Sequence, residues 1–183
     1  MAARALAVAV VGAVVLAAAA TAALSQRPVP QEVRPCGSRG EGNKPQQLPV
    51  PAGVRIGPLM IWPSVRNRVE ATANGTWRYY VKAPVVLPAR QKVVLAIPPE
   101  SAHLAAFQSR INSLTGVSSV RFEACRERER AFPGAYNGTV GKYTGFPFGF
   151  WLARRSACVP MEVWVDGSAT PVRRLVPFGS KSC

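Results

Sequence analysis

The chain has few of the residues that most enzymes use for acid–base chemistry. Its 183 residues include one histidine, His103, one aspartate, Asp166, and eight glutamates. No serine lies in a G-x-S-x-G motif, so a Ser–His–acid triad is not indicated, and His103 is interpreted as a loop or surface residue. No glycine-rich phosphate-binding loop is present. The sequence therefore predicts no catalytic residue, no cofactor and no cofactor-binding residue.

Cysteine is also scarce, and its four positions, Cys36, Cys125, Cys158 and Cys183, contain no C-x-x-C pair. With a single histidine in the chain, a zinc site is not indicated, and no metal ligand is predicted. An even number of cysteines in an oxidising compartment predicts two disulfides, for which three pairings are possible. The preferred prediction pairs Cys125 with Cys158, and Cys36 with Cys183, so that the second bond ties the two ends of the domain together.

Charge is absent from the run Ala5 to Leu24, which follows Arg4. As a helix, this run would rise about 30 Å, the thickness of a bilayer hydrocarbon core. Ala20-Thr21-Ala22 fits an A-x-A cleavage site. The high alanine content and the arginines that follow favour a signal peptide over an uncleaved signal-anchor helix, but both alternatives stay open. Residues 1–24 therefore predict an extracytoplasmic protein, either secreted or anchored in the cell membrane.

Acidic residues are outnumbered by basic ones, nine against 23, and the formal net charge is +14. An excess of this size predicts attraction to polyanions, such as anionic envelope polymers or lipid headgroups. The basic residues are scattered rather than packed into one cluster, and the chain carries an export signal. Specific nucleic-acid binding is therefore not predicted.

Large apolar residues are nearly absent from residues 25–52, where proline, glycine and glutamine dominate. This composition predicts an extended linker without its own core. From residue 53 to 183, short runs of alternating apolar residues are separated by turn signals. Pro58 is expected to interrupt an edge strand, and Ser101 to Leu114 is predicted to be a short helix or a crossing loop. The predicted domain is all-β, a small antiparallel Ig-like β-sandwich of about seven strands behind the N-terminal hydrophobic helix.

Several aromatic residues fall on the outward phase of these strands and lie near arginines. They define a possible contact patch formed by Tyr80, Trp151, Arg154, Arg155 and Trp164. Exposed aromatics beside arginines can stack on sugar rings or act as hot spots of a protein interface. The competing interpretation is that a second sheet or a loop covers them, because large aromatics are mostly buried.

The last third of the chain carries a recognisable pattern. Its elements are Val120 to Cys125, Val140 to Phe146, Gly149 to Arg154, Cys158 to Val163 and the closing Pro177 to Cys183. Together they resemble a group of uncharacterised exported proteins from high-GC Gram-positive bacteria, and the resemblance covers roughly the whole domain. It implies a short β-rich domain behind one N-terminal hydrophobic segment. The group has no established activity, so no catalytic residue is implied.

The sequence thus predicts a non-enzymatic cell-envelope domain that binds an envelope protein, an anionic surface polymer or lipid headgroups. Contact with the membrane would run through the N-terminal segment if that segment stays uncleaved. One alternative is a structural accessory subunit of a membrane complex. A less favoured alternative is a wall-directed hydrolase. Glycoside hydrolysis requires a pair of carboxylates, and Glu123 or Glu162 would be the acid of that pair.

Overall fold

The computed structural model describes residues 26–38, 53–62, 69–72, 75–109, 115–127, 142–180 and 182–183. The predicted N-terminal helix lies outside these residues. Within them the chain forms two short 3-10 turns, Cys36–Ser38 and Pro99–Ser101, and a set of short strands. The strands are β1 (Glu32–Arg34), β2 (Val54–Ile56), β3 (Leu59–Ile61), β4 (Glu70–Ala71), β5 (Tyr79–Lys82), β6 (Val85–Pro88), β7 (Lys92–Ala96), β8 (Ala105–Gln108), β9 (Gly116–Val117), β10 (Ser119–Glu123), β11 (Tyr143–Phe146), β12 (Gly149–Leu152), β13 (Ala157–Val165) and β14 (Val172–Phe178).

One layer of the fold is a five-stranded sheet in the order β1-β10-β7-β13-β14. All its pairs are antiparallel except β1 with β10, which is parallel. Alternate residues of these strands face the core, among them Leu95, Phe122 and Val163, and each is fully buried. The period-2 pattern of the sequence predicts these inward positions correctly, because successive side chains of a strand point to opposite faces.

The second layer consists of two sheets, β11-β6-β3-β2 and β4-β5-β12-β8-β9. β5 and β6 are successive parts of one extended segment, and β11 and β12 are successive parts of another. The β5–β12 pair and the β6–β11 pair have the same register, so Pro84, between β5 and β6, lies opposite Pro147, between β11 and β12. Between the two sheets the Ala83 N–H donates to the Phe148 carbonyl oxygen (3.0 Å). The prolines divide this layer because neither has an N–H to donate.

Phenylalanine rings join the two layers. The Phe122 ring of the first layer lies 5.2 Å from Phe146 and 5.1 Å from Phe148, and Phe178 lies 5.0 Å from Phe150. These rings belong to one continuous core. The prediction of an all-β antiparallel fold is confirmed. The strands are more numerous than the seven predicted because prolines and turns divide the longer segments.

Two local predictions are wrong. Gly57 and Pro58 do not interrupt a single strand; they form the two-residue turn of the β2–β3 hairpin, in which Ile56 pairs with Leu59. Gly57 has a φ of +57°, as the first central position of such a turn requires. The segment predicted as a helix or a crossing loop contains β8, which pairs with β12. Pairing with a neighbouring strand outweighs the weak helical period of that segment.

The first part of the predicted linker is built into the domain. β1 adds to the edge of the first sheet, with Glu32 opposite Val120. The Gln31 side chain accepts hydrogen bonds from the Ser118 N–H (2.6 Å) and the Ser118 hydroxyl (3.0 Å). Residues 39–52 of the predicted linker lie outside the described part of the chain.

The disulfide pairing predicted from the sequence is wrong. Cys36 is bonded to Cys125, and Cys158 to Cys183, with Cα–Cα distances of 4.7 and 5.6 Å. The strand registers explain both bonds. Arg34 lies opposite Phe122, which brings Cys36 alongside Cys125. Cys158 lies opposite Pro177 near the end of β14, and Cys183 follows a few residues later.

Candidate functional site

Tyr80 and Trp151 of the predicted contact patch are neighbours on the outer face of the second layer. They lie directly opposite each other in the β5–β12 pair, and their ring centroids are 4.7 Å apart with the planes tilted by 48°. Tyr80 is half-buried, but Trp151 is only 4% exposed. Within the described residues, no group accepts a hydrogen bond from the Trp151 Nε1–H. The structure therefore brings the pair together while leaving Tyr80 as the accessible member.

Tyr80 is held by polar contacts as well as by its neighbouring ring. Its hydroxyl donates to Gln108 Oε1 (2.8 Å), and the Gln108 carbonyl oxygen accepts from Arg34 Nη2 (3.3 Å). Burial raises the pKa of the Tyr80 hydroxyl, and the carboxylate of Glu70 adds to that rise. The pKa rises because both effects disfavour the phenolate anion.

Arg154 and Arg155 lie in the connection between β12 and β13, and both are exposed. Arg78 lies close to them, because its N–H donates to the Leu152 carbonyl oxygen (3.2 Å). Arg78 is also exposed. We call the end of the sandwich that carries Arg78, Arg154 and Arg155 the far end. It is adjacent to Tyr80 and Trp151 along the chain, so four of the predicted patch residues share one region.

Trp164 does not belong to this patch, and for this residue the alternative of a covered aromatic is the correct one. It lies on β13 in the other layer and is 1% exposed. Its Nε1–H donates to Glu162 Oε2 (3.0 Å), and Glu162 Oε1 accepts from Arg173 Nε (2.8 Å). The N-terminal segment crosses this outer face, with the Val29 carbonyl oxygen accepting from the Ser119 hydroxyl (2.9 Å). The side chain of Trp164 therefore points away from the shared core and is nevertheless buried.

Arg27 and Arg121 hold Asp166 between them at one end of β13. Arg27 Nη2 donates to Asp166 Oδ1, and Arg121 Nη2 donates to Asp166 Oδ2 (2.7 Å). Burial alone would raise the pKa of Asp166, but the hydrogen bonds from both arginines outweigh it and lower that pKa. The pKa of Arg121 is raised, first by its hydrogen bond to Glu123. This contact fixes the start of the described chain to the sandwich.

A second group of basic residues gathers at the same end. The Asp166 N–H donates to the Lys92 carbonyl oxygen (3.0 Å), and Arg90 precedes Lys92 by two residues. The Arg90 N–H donates to the Cys125 carbonyl oxygen, next to Arg126, and the Ala89 N–H donates to the Lys142 carbonyl oxygen. We call this end, which carries Arg27, Arg90, Lys92, Arg126 and Lys142, the docked end. Sequence reasoning missed it because these residues are far apart along the chain and form no local cluster.

A cleft of about 350 Å³ opens on the outer face of the first layer. Its wall includes two carboxylates, Glu100 and Glu162, and it is lined by Pro98, Glu100, Pro160, Met161, Glu162, Arg173, Arg174 and Leu175. Both carboxylate oxygens of Glu162 already accept hydrogen bonds, from Trp164 and Arg173. Glu123, the other carboxylate considered for hydrolysis, pairs with Arg121 (2.8 Å) and Lys92 (3.9 Å) at the docked end.

In the part of the chain that the structure describes, no group of three or more His, Cys, Asp and Glu side chains is arranged to hold a metal ion. The described residues also include no helix both long and apolar enough to cross a membrane. Comparison of the chain with protein-family models, with curated proteins and with solved structures finds no match.

Proposed function

We propose that this protein is a non-enzymatic domain of the cell envelope that binds anionic surfaces or polymers through exposed arginines and lysines. The proposal is supported by a difference between the acidic and the basic side chains: four acidic ones are paired with arginines, whereas many basic ones are exposed and form no ion pair among the described residues. Glu32, Glu123, Glu162 and Asp166 each form an ion pair with an arginine. Their negative charge is thus largely neutralised by arginines of the same chain.

Many basic side chains, by contrast, are exposed and form no ion pair among the described residues. They are Arg55, Arg78, Arg90, Lys142, Arg154, Arg155 and Arg174. A surface with this excess attracts polyanions over distances of about one Debye length, roughly 8 Å at physiological salt. The positive field of the domain is therefore directed at solvent and at external partners.

The compartment of the proposed function is supported by the covalent structure. Two disulfides and no free cysteine within the described residues are typical of proteins that work in an oxidising environment. The apolar run of residues 5–24 and the resemblance to exported bacterial proteins favour the outer side of a cell membrane. Whether the run is cleaved or retained decides between a secreted and an anchored form.

The test is binding of protein lacking residues 1–24 to purified cell-wall polyanions immobilised on a resin. We expect retention at low salt and release in about 1 M salt, where the Debye length falls to about 3 Å. A neutral glucan resin is the control, because retention there would indicate stacking on Tyr80 instead of charge attraction. Passage through the anionic resin without retention at low salt would contradict the proposal.

A wall-directed hydrolase is a second candidate, favoured by the two carboxylates of the cleft. Glu162 would have to leave its ion pair with Arg173 before it could donate a proton, which makes this candidate weaker than binding. Release of soluble wall fragments that depends on both Glu100 and Glu162, tested with Glu100→Gln and Glu162→Gln, would support it. An accessory subunit would instead yield one dominant protein partner when the intact chain is crosslinked in native membranes.

A further inference from the structure

The docked end carries five basic side chains that come from four separate segments of the chain. A series of main-chain and side-chain contacts joins them: Arg27 to Asp166, Asp166 to Lys92, Arg90 to Cys125 and Ala89 to Lys142. Arg90, Lys92, Arg126 and Lys142 are all exposed. These side chains therefore extend into solvent from one end of the sandwich.

The carboxylates at this end leave a positive excess. Asp166 is bound by Arg27 and Arg121, and Glu123 is bound by Arg121 and lies 3.9 Å from Lys92. Glu127 is exposed beside Arg126 and offsets one further positive charge. Arg90 and Lys142 remain as exposed cations that form no ion pair among the described residues.

Arg90 adds an independent sign of function. Its φ is +66°, and among the described residues other than glycine no other φ is positive. A left-handed backbone disfavours a residue with a Cβ, and glycine or asparagine would occupy this turn with less strain. Strained backbone positions of this kind cluster at functional sites. A long cationic side chain thus occupies the tip of a turn where a smaller residue would be more stable.

The docked end also carries Arg27, one of the first described residues after the hydrophobic run of the sequence. The run ends at Leu24, and Arg27 is already fixed to Asp166. Three residues span at most about 10 Å of extended chain. The far end lies at the opposite end of β13, a strand of nine residues, which at about 3.3 Å per residue is roughly 30 Å long.

We propose that the docked end lies against anionic lipid headgroups, so that the sandwich stands on the membrane with its far end directed outward. This inference rests on the proposed function and names the partner and the surface. Headgroups are favoured over a distant wall polymer because, in the anchored form of the protein, the hydrophobic run ends three residues before Arg27, a distance of at most about 10 Å of extended chain. Each lysine or arginine near an anionic leaflet strengthens binding about fivefold.

The experiment compares three full-length proteins on vesicles of phosphatidylcholine with and without phosphatidylglycerol. They are the wild type, Arg90→Asn/Lys142→Gln at the docked end and Arg154→Gln/Arg155→Gln at the far end. The two variants lose the same charge, and asparagine suits the backbone of residue 90. Residues 1–24 are common to all three proteins. Differences among them in the ratio of binding to anionic and to neutral vesicles therefore come from the domain.

We expect the docked-end variant to lower this ratio about twenty-fivefold, from roughly fivefold per side chain, and the far-end variant to change it less than about twofold. Equal losses in both variants, or a larger loss at the far end, would overturn the inference. A cooperative unfolding transition with a midpoint no lower than that of the wild type confirms that each variant is folded. Hydrogen exchange gives a second readout, since protection by anionic vesicles is expected at residues 88–92 and 124–127.

The inference and the proposed function fail in different ways. Retention of the protein on wall polyanions combined with a ratio of one for the wild type on vesicles would overturn the membrane inference alone. Failure to bind either the polyanion resin or anionic vesicles would contradict both.

Discussion

The ring of Tyr80 lies directly over Gly149 on the outer face of the second layer. A Cβ atom on residue 149 would overlap the hydroxyl end of that ring. Glycine at this position lets the tyrosine fold down onto the sheet, where its hydroxyl reaches Gln108 and its ring contacts Trp151. The accessible part of the predicted aromatic patch thus depends on the absence of a side chain opposite Lys82.

Gly149→Ala is expected to lower the free energy of unfolding by about 1–3 kcal/mol, because the added methyl must displace the Tyr80 ring. Denaturant unfolding measures the change. Gly75→Ala is the matched control, since no atom lies within 4 Å of its Cβ position, and it should change stability by less than about 0.5 kcal/mol. In a Tyr80→Ala background the cost of Gly149→Ala should largely disappear; an undiminished cost would show that Tyr80 is not the obstacle.

Alkaline pH should weaken the fold through Tyr80. The pKa of this hydroxyl is raised in the folded state, so its stabilisation is present below the unfolded-state pKa of about 10 and is lost as the pH rises through the folded pKa. Tyr80→Phe removes this dependence and the hydrogen bond to Gln108, at a cost of about 1 kcal/mol at neutral pH. Urea unfolding of both proteins from pH 8 upward measures the difference. Parallel stability curves for the two proteins would contradict the assignment.

The two disulfides should contribute unequally to stability. Cys36 and Cys125 are 89 residues apart, and Cys158 and Cys183 are 25 residues apart. In the chain-entropy model, replacing each pair by alanine costs about 4.5 and about 3.5 kcal/mol respectively. Thermal unfolding of the two double variants checks the order. A Cys158→Ala/Cys183→Ala variant that is the less stable of the two would contradict the entropic explanation.

Arg90→Gly should stabilise the protein by about 1 kcal/mol, because glycine adopts a positive φ without steric strain. Unfolding by denaturant measures the gain. The control is Lys142→Gly, a neighbouring basic position that has no positive φ and should not gain stability. If Arg90→Gly is neutral or destabilising, Arg90 does not strain the turn. The protein then loses no stability by having a charged side chain at this position.

Much of the core follows from local patterns. Phe146, Phe148 and Phe150 alternate in the sequence, and all three are buried as the period of a strand requires. The inward positions Val93, Leu95 and Ile97 follow the same pattern and are also buried. These predictions succeed because side-chain direction in a strand depends only on its own backbone.

The candidate site was less predictable. Tyr80 and Trp151 share the outward phase and lie opposite each other, but nothing local indicates that the N-terminal segment is bound to the outer face of the first layer, on which Trp164 lies. The docked end could not be predicted from local sequence, because Arg90 and Lys142 are brought to the same end of the sandwich only by the pairing of β6 with β11. The helix or loop predicted around Phe107 was wrong because β12 offers that segment a hydrogen-bonding partner.

By itself, the sequence determined the all-β class, the inward faces of the strands and the strong positive charge, because each depends on residue type and on spacing of a few residues. The tertiary structure alone decided which cysteines are bonded, which outward aromatics are exposed and which arginines share an end of the sandwich. These outcomes depend on strand register and sheet order. Both are set by the packing of one shared core between segments that are far apart in the chain.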